Sequence, residues 1–210
     1  MEISREEAKL RREFWRTIRA RFPGFRLAVV ADAVATAEGR GERSEFRSTL
    51  DTVFQIIRLC WVSDAFFAQV LYRLKAAMQR RGIPLLPRLA HKLAMSSAQI
   101  SIGDPVTIGP GLYIQHGQIV IDGLVEIGPD VTIAPWVTIG LRSGNVVGAT
   151  VERNVAIGTG AKLIGPVRIG AGAQIGANAV VLDDVPPRAT VAGAPARVLS
   201  KPSPTPAPPQ

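Results

Sequence analysis

Two histidines, one cysteine and a scatter of carboxylates are what this chain offers for proton transfer, nucleophilic attack or metal binding. With only His91 and His116, a three-histidine metal centre within one chain is excluded, and the single Cys60 excludes both a disulfide framework and a cysteine-based zinc site. Cys60 and Met78 fall on apolar helical positions and read as core. His116 differs, because it stands where a regular repeat breaks. An imidazole, with an ordinary pKa of about 6.5, suits removal of a proton from an alcohol as it attacks an activated carbonyl. No nucleophilic Ser or Cys is needed if the acyl group passes directly to the acceptor oxygen. The plain alternative is a surface histidine at a corner of the repeat.

The repeat that positions His116 has a period of six. Ile102, Ile108 and Ile114 open three units, and Ile121, Ile127, Ile133 and Ile139 open four more. Val151, Ile157, Leu163, Ile169, Ile175 and Val181 open another six. Gly follows the opening residue at 103, 109, 128, 140, 158, 170 and 176, and a small or branched apolar residue fills the fifth place, as at Val106, Val131 and Ala173. No helix tolerates this spacing, and a plain period-2 strand does not place Gly so regularly. The physical reading is a prism of short parallel strands: three units close one triangular coil, the opening residue fills the interior, and Gly supplies the turn at each corner. Residues 102–186 predict close to five coils, each stabilised by its neighbours.

The chain divides near residue 96. Residues 1–95 hold 18 Lys and Arg against 10 Asp and Glu, whereas residues 96–210 hold 7 against 7, so the whole net charge of +8 lies in the first half. Ser4 and Glu7 form a capping box that opens a first helix carrying Leu10, Phe14 and Ile18. A second helix is predicted over 26–38 and a long helical region over 45–79, with a break near Ser63-Asp64. Phe54, Ile57, Cys60 and Trp61 lie on one face of that region, and a last helix covers 85–94. The predicted domains are a helical region 1–95, a repeat domain 96–200 and a disordered proline-rich tail 201–210. A basic, aromatic-rich half leaves contact with an anionic membrane surface open. Interspersed acids, and no Lys/Arg block longer than two, favour a helical cap that packs on the repeat or on another subunit. No nucleic-acid motif is visible. No apolar run approaches about 20 residues and the start lacks a secretory apolar stretch, which predicts a cytoplasmic chain.

Two breaks mark the site. Ile114 and Ile121 are seven residues apart rather than six, which puts His116 in a one-residue bulge. Between Ile139 and Val151 the polar, Gly-rich segment LRSGNVVGAT reads as a loop leaving the prism. Bulges and loops on a rigid scaffold are where binding and catalytic groups usually sit.

The repeat resembles the left-handed parallel β-helix of hexapeptide-repeat acyltransferases, and more narrowly the serine acetyltransferase-like family. Asp64-Ala65-Phe66-Phe67, GPGLYIQHGQIVIDG (109–123), VTIGLRSG (137–144) and the run from Ile157 to Pro202 carry the resemblance. It implies an α+β chain, a helical region followed by a left-handed β-helix, that acts as an acetyl-CoA-dependent O-acetyltransferase without a metal. It also implies a homotrimer or a dimer of trimers, with His116 as general base. Donor contacts are implied at the backbone of Leu141, Thr159 and Ala177, with Arg197 and Lys201 suited to the nucleotide phosphates.

Departures from the family pattern concern the acceptor. The Asp that orients the family's His is replaced by Ser101, which leaves Asp104, Asp122 or Glu126 as candidate partners. Gln115 stands where the family has an Asp before its His, and Val147-Gly148-Ala149 replaces an Arg-His-Pro run. The thioester side of the site is kept and the serine side is not, so the acceptor is either L-serine or another hydroxyl, with a sugar or glycan precursor as the leading candidate. Counting 18 residues plus the inserted one predicts that Trp136 stacks over His116-Gly117, where its ring could join Gln115 in binding an acceptor. The reading of a different class is a catalytically silent assembly or scaffold protein, since the His partner is missing.

Overall fold

The computed structural model describes residues 5–200. Ser4 of the capping box, Lys201 and the proline-rich tail lie outside them. Five helices come first: α1 (Arg5–Ala20), α2 (Phe25–Gly39), α3 (Thr49–Val62), α4 (Asp64–Arg80) and α5 (Leu86–Ala98). The long helical region does break at Ser63, where the chain turns through 118°. Ser63 serves both helices: its amide donates to the Leu59 carbonyl (2.9 Å), and its Oγ accepts from the Phe66 amide (3.2 Å). The last helix runs four residues past the predicted end, to Ala98, and stops at Gln99 in the left-handed region (φ 54°).

Fifteen short strands follow. The first face of the prism, face A, holds β1 (Ile100–Ile102), β4 (Ile119–Ile121), β7 (Thr138–Gly140), β10 (Lys162–Ile164) and β13 (Val180–Val181). Face B holds β2 (Thr107–Ile108), β5 (Leu124–Ile127), β8 (Val147–Val151) and β11 (Arg168–Ile169). Face C holds β3 (Tyr113–Ile114), β6 (Thr132–Ile133), β9 (Ala156–Ile157), β12 (Gln174–Ile175), β14 (Thr190–Ala192) and β15 (Arg197–Ser200). The chain visits A, B and C in turn, all neighbours pairing in parallel except β14 with β15. This is the parallel β-helix of about five coils that the period-six repeat predicts. Every opening residue from Ile102 to Val181 is buried, at 4 % exposure or less, in one continuous core.

The repeat glycines act differently from expectation. Those that follow the opening residue do not take positive φ; they let successive coils touch. A methyl group at Gly109 would lie 2.6 Å from the Pro129 nitrogen, and one at Gly158 would lie 2.8 Å from the Ala177 nitrogen. The left-handed corner comes two residues later, at Asp130, Asn154 and Asn178 as well as at glycines such as Gly160. Asn and Asp tolerate that conformation, so the corner signal is shared among residue types.

Coil 1 has no coil beneath it, and the helical region covers it. α4 lies under the open end and inserts polar side chains. Gln69 Nε2 donates to the Leu112 carbonyl (2.8 Å), Tyr72 Oη to Val106 (3.0 Å) and Lys75 Nζ to Ile102 (2.6 Å). Arg73 donates to the carbonyls of Ile108 and Gly109 (2.6 Å each) and forms a buried two-point ion pair with Asp32 of α2 (2.8 and 3.0 Å). Asp32 in turn accepts from the amides of Gly111 and Leu112. These contacts satisfy the downward-facing backbone of the first coil, which would otherwise be buried without partners.

The helical face expected as core packs only in part. Leu59 and Met78 are buried and Cys60 is half-buried, but Phe54, Ile57 and Trp61 stay exposed, Trp61 at 89 %. Ile18 of the α1 stripe is buried against Phe22 and Ala76, whereas Leu10 and Phe14 face outward. No single described helix is long and apolar enough to cross a membrane.

Candidate active site

The edge between faces C and A carries His116. In coil 1 this edge is Gln115-His116-Gly117-Gln118, and the bulge is real: β3 pairs with β6 at an offset of 19 residues, whereas β4 pairs with β7 at 18. The inserted residue leaves His116 on the surface between two fixed strands. The bulged corner rests on the C-terminus of α5, where the Gln118 amide donates to the Ala98 carbonyl (2.8 Å) and Ile119 to Gln99 (3.2 Å). Gly117 is required there, because a side-chain carbon would collide with the Ala98 carbonyl.

His116 and Gln115 open onto a cavity of about 410 Å³. Its other walls come from the helical region: Arg40 at the end of α2, Val62 to Ala65 at the α3–α4 break, and Ser97 to Gln99 at the end of α5. Asp64, in the first turn of α4, brings a carboxylate to it. Gly39 lets α2 end against the ring of Tyr113, three residues before His116, and so delivers Arg40. Arg40 Nε donates to Glu42 Oε1 (2.8 Å), and Glu42 also accepts from Arg58. Arg58, with Arg40 behind it, holds the Glu42 carboxyl below its usual range despite some burial. The two Nη atoms of Arg40 have no protein partner among the described residues.

Several expectations are corrected. Asp104 is not placed to orient His116: it pairs with the buried Lys75 (3.0 Å) at the corner between faces A and B. Asp122 lies at the far end of β4, next to Gly103, and Glu126 pairs with Arg21 of α1. Among the described residues no carboxylate forms an ion pair with His116. Trp136 does not stack over His116-Gly117. The inserted residue is taken up before Gln118, so the Trp136 amide meets the Gln118 carbonyl (3.0 Å), and the indole is absent from the cavity wall. The loop after Ile139 is shorter than predicted, since Val147–Val151 return to face B as β8.

The residues expected to contact the acyl donor divide between two edges. Thr159 and Ala177 stack one coil apart on the His116 edge, the Asn178 amide donating to the Thr159 carbonyl (2.8 Å). Leu141 is elsewhere: six residues inserted between β7 and β8 put it at the edge between faces A and B, with its side chain against Gly123. Arg197 is exposed at the start of β15, just past the C–A corner of the last coil, and donates to its neighbour Ala196. Lys201 lies beyond the described residues. Among those residues no group of three or more His, Cys, Asp or Glu could hold a metal ion.

Residues 148–183 match the family described as bacterial transferase hexapeptide (six repeats). Over 138 residues the chain is 40% identical to the serine acetyltransferase of Helicobacter pylori strain J99, covering 64% of this chain and 80% of that protein. The chain belongs to the serine acetyltransferase family. It is 41% identical over 139 residues to the Mycobacterium tuberculosis family member, where the match covers 64% of this chain and 60% of that longer protein. Soybean serine acetyltransferase complexed with serine superposes with a TM-score of 0.67 at 30% identity, covering 84% of this chain and 70% of that one. The Vibrio cholerae family member gives 0.70 at 29% identity, covering 91% and 72%. The chain is therefore an acyltransferase by family.

Arg40 and Asp64, which line the cavity beside His116, are not singled out by the sequence. Asp64 opens the Asp64-Ala65-Phe66-Phe67 segment that resembles the family, but nothing in the helical half repeats, so no period points from there to His116. Arg40 carried no signal at all, being one of 18 basic residues in that half.

Proposed function

We propose that this chain transfers an acetyl group from acetyl-CoA to the hydroxyl of L-serine or a closely related amino acid, with His116 as general base. The observation that carries the reading is the shared cavity. A base, a carboxylate (Asp64) and a guanidinium with free Nη atoms (Arg40) converge on a space of about 410 Å³. That set complements a zwitterion: Asp64 for the ammonium, Arg40 for the carboxylate by a two-point contact, His116 for the hydroxyl. A neutral sugar would leave the Asp64 carboxylate unmatched and the Arg40 Nη atoms unused, and Trp136, the residue that favoured a sugar, is outside the cavity.

In the reaction His116 takes the hydroxyl proton as the oxygen attacks the thioester carbonyl. The tetrahedral oxyanion then collapses, expels the thiolate, and the imidazolium returns the proton to sulfur. The amides of His116 and Gly117 make no backbone hydrogen bond among the described residues and would be free to donate to the oxyanion. The C-terminus of α5 meets the same corner through the Ala98 carbonyl, which holds the Gln118 amide and so fixes the backbone beside His116. Acetyl-CoA would run from this corner along the Thr159 and Ala177 edge towards Arg197. In a homotrimer the Leu141 edge of a neighbouring prism would close the other side of that groove.

The test is release of free thiol from acetyl-CoA with serine, homoserine and a panel of sugars. Serine should be the best acceptor, His116→Ala should lower kcat by roughly 10²–10⁴, and Arg40→Ala should raise KM for serine at least tenfold. Turnover of sugars alone would overturn the acceptor, and unchanged turnover in His116→Ala would overturn the base. No thiol release with any acceptor would favour the silent scaffold, a reading supported by the missing carboxylate partner.

A further inference from the structure

Across the prism from the His116 edge lies a second concave feature that acetyl transfer does not use. α1 packs beside face B: Phe14, Thr17, Ile18 and Arg21 share a cleft with Thr107, Leu124, Val125 and Glu126. In a triangular prism the edge between C and A is the one farthest from face B. The other side of α1 turns Arg11, Arg12, Arg16 and Arg19 into a cavity of about 690 Å³, together with Trp15, and Arg80 of α4 closes it. Positions 8, 11, 12, 15, 16 and 19 recur at spacings of three and four, so these side chains share one helix face.

No carboxylate of the described residues lines this groove, and Arg80 is held by the Phe22 carbonyl (3.2 Å). Among the described residues Arg12, Arg16, Arg19 and Arg80 form no ion pair. Arg19 Nε is buried without a hydrogen-bond partner. Four like charges on α1 face a fifth on α4, and like charges this close repel one another. Trp15 adds a rigid ring, half-buried against Ile18 and Phe22 and set edge-on to Phe14 at 5.5 Å.

Guanidinium forks match phosphate oxygens two at a time, and an indole can stack on a planar base. The volume is that of a small-molecule site, and a concave groove bounded by two helices does not match a flat bilayer. We propose that the α1–α4 groove binds a compact polyphosphate anion, either free or as the phosphate tail of a nucleotide, at a site separate from the His116 edge.

Calorimetric titration of the full chain with inorganic tripolyphosphate and, separately, with adenosine triphosphate tests this. Arg12 and Arg16 are exposed, so Arg12→Ala/Arg16→Ala should keep the fold, checked by circular dichroism. The expected result is saturable binding of tripolyphosphate at low salt, weakened at least tenfold in the double variant and falling steeply with added salt. Thiol release from acetyl-CoA should be unchanged. Trp15→Leu should weaken the nucleotide but not tripolyphosphate if the natural anion is a nucleotide, and neither if it is a free polyphosphate. Absence of saturable binding, or equal binding by the double variant, overturns the proposal. A tenfold rise in the KM for acetyl-CoA in that variant overturns the separateness of the site. Tighter retention on anionic vesicles than binding of tripolyphosphate, through the same arginines, would reassign the groove to a membrane surface.

Discussion

From coil 2 upward the downward-facing side of each strand pairs with the coil beneath it, whereas the downward-facing side of coil 1 finds its partners in side chains of α2 and α4. The difference is one of specificity. A coil-on-coil contact is repeated, backbone-made and indifferent to most side chains beyond the interior row. The contact beneath coil 1 occurs once and depends on five individual residues, Asp32, Gln69, Tyr72, Arg73 and Lys75, each aimed at a particular carbonyl or amide. The first arrangement tolerates local damage by spreading it over neighbours. The second concentrates it.

The largest effect is therefore expected at the Asp32–Arg73 pair. Burial raises the Asp32 carboxyl, and Arg73 and the two amides oppose that rise, so removing either partner leaves the other unmatched in the interior. Asp32→Asn or Arg73→Met should each cost about 3–5 kcal/mol in urea unfolding. Ile133→Ala, a cavity inside the stack, should cost about 2–5 kcal/mol. A cost above that of Asp32→Asn would break the comparison. Gly128→Ala puts a methyl 2.8 Å from the Arg153 nitrogen of the next coil, and the overpacking should cost about 1–3 kcal/mol. Ser63→Ala removes the cap of α4 and should cost about 1 kcal/mol, with a larger fractional rise in KM for serine than in kcat because Asp64 adjoins it. The smallest effect is exposed and pH-dependent. Arg43, helped by the Arg47 amide, holds the Asp51 carboxyl below its usual range. A depressed carboxyl stabilises the fold above the unfolded pKa of about 3.9, and that stability is lost as pH falls through the folded value. Arg43→Ala should therefore move the acid-unfolding midpoint slightly upward, with no difference from the parent at pH low enough to protonate Asp51 in both states.

The same contrast governs what the sequence reveals. The interior row from Ile102 to Val181 is legible because thirteen residues obey one period, and the bulge at His116 is legible as a departure from it. Trp136 was misplaced because counting cannot say which of residues 115 to 118 absorbs the insertion. Leu141 was misplaced because a six-residue excursion keeps the phase while shifting the edge. Asp32, Arg73, Arg40 and Asp64 are unreadable in role, since each faces a partner far along the chain, from 35 residues away for Arg73 and Ile108 to 80 for Asp32 and Leu112, that no local pattern names.

The cap under coil 1 has one more consequence. A stack whose bottom rung kept bare amides and carbonyls would be a template for the top rung of another molecule, and identical prisms could add end to end into a filament. Gln69, Tyr72, Arg73 and Lys75 occupy that rung, and at the other end β15 runs antiparallel to the ladder. A variant stripped of the α4 side chains should therefore be read for fibre formation as well as for lost stability.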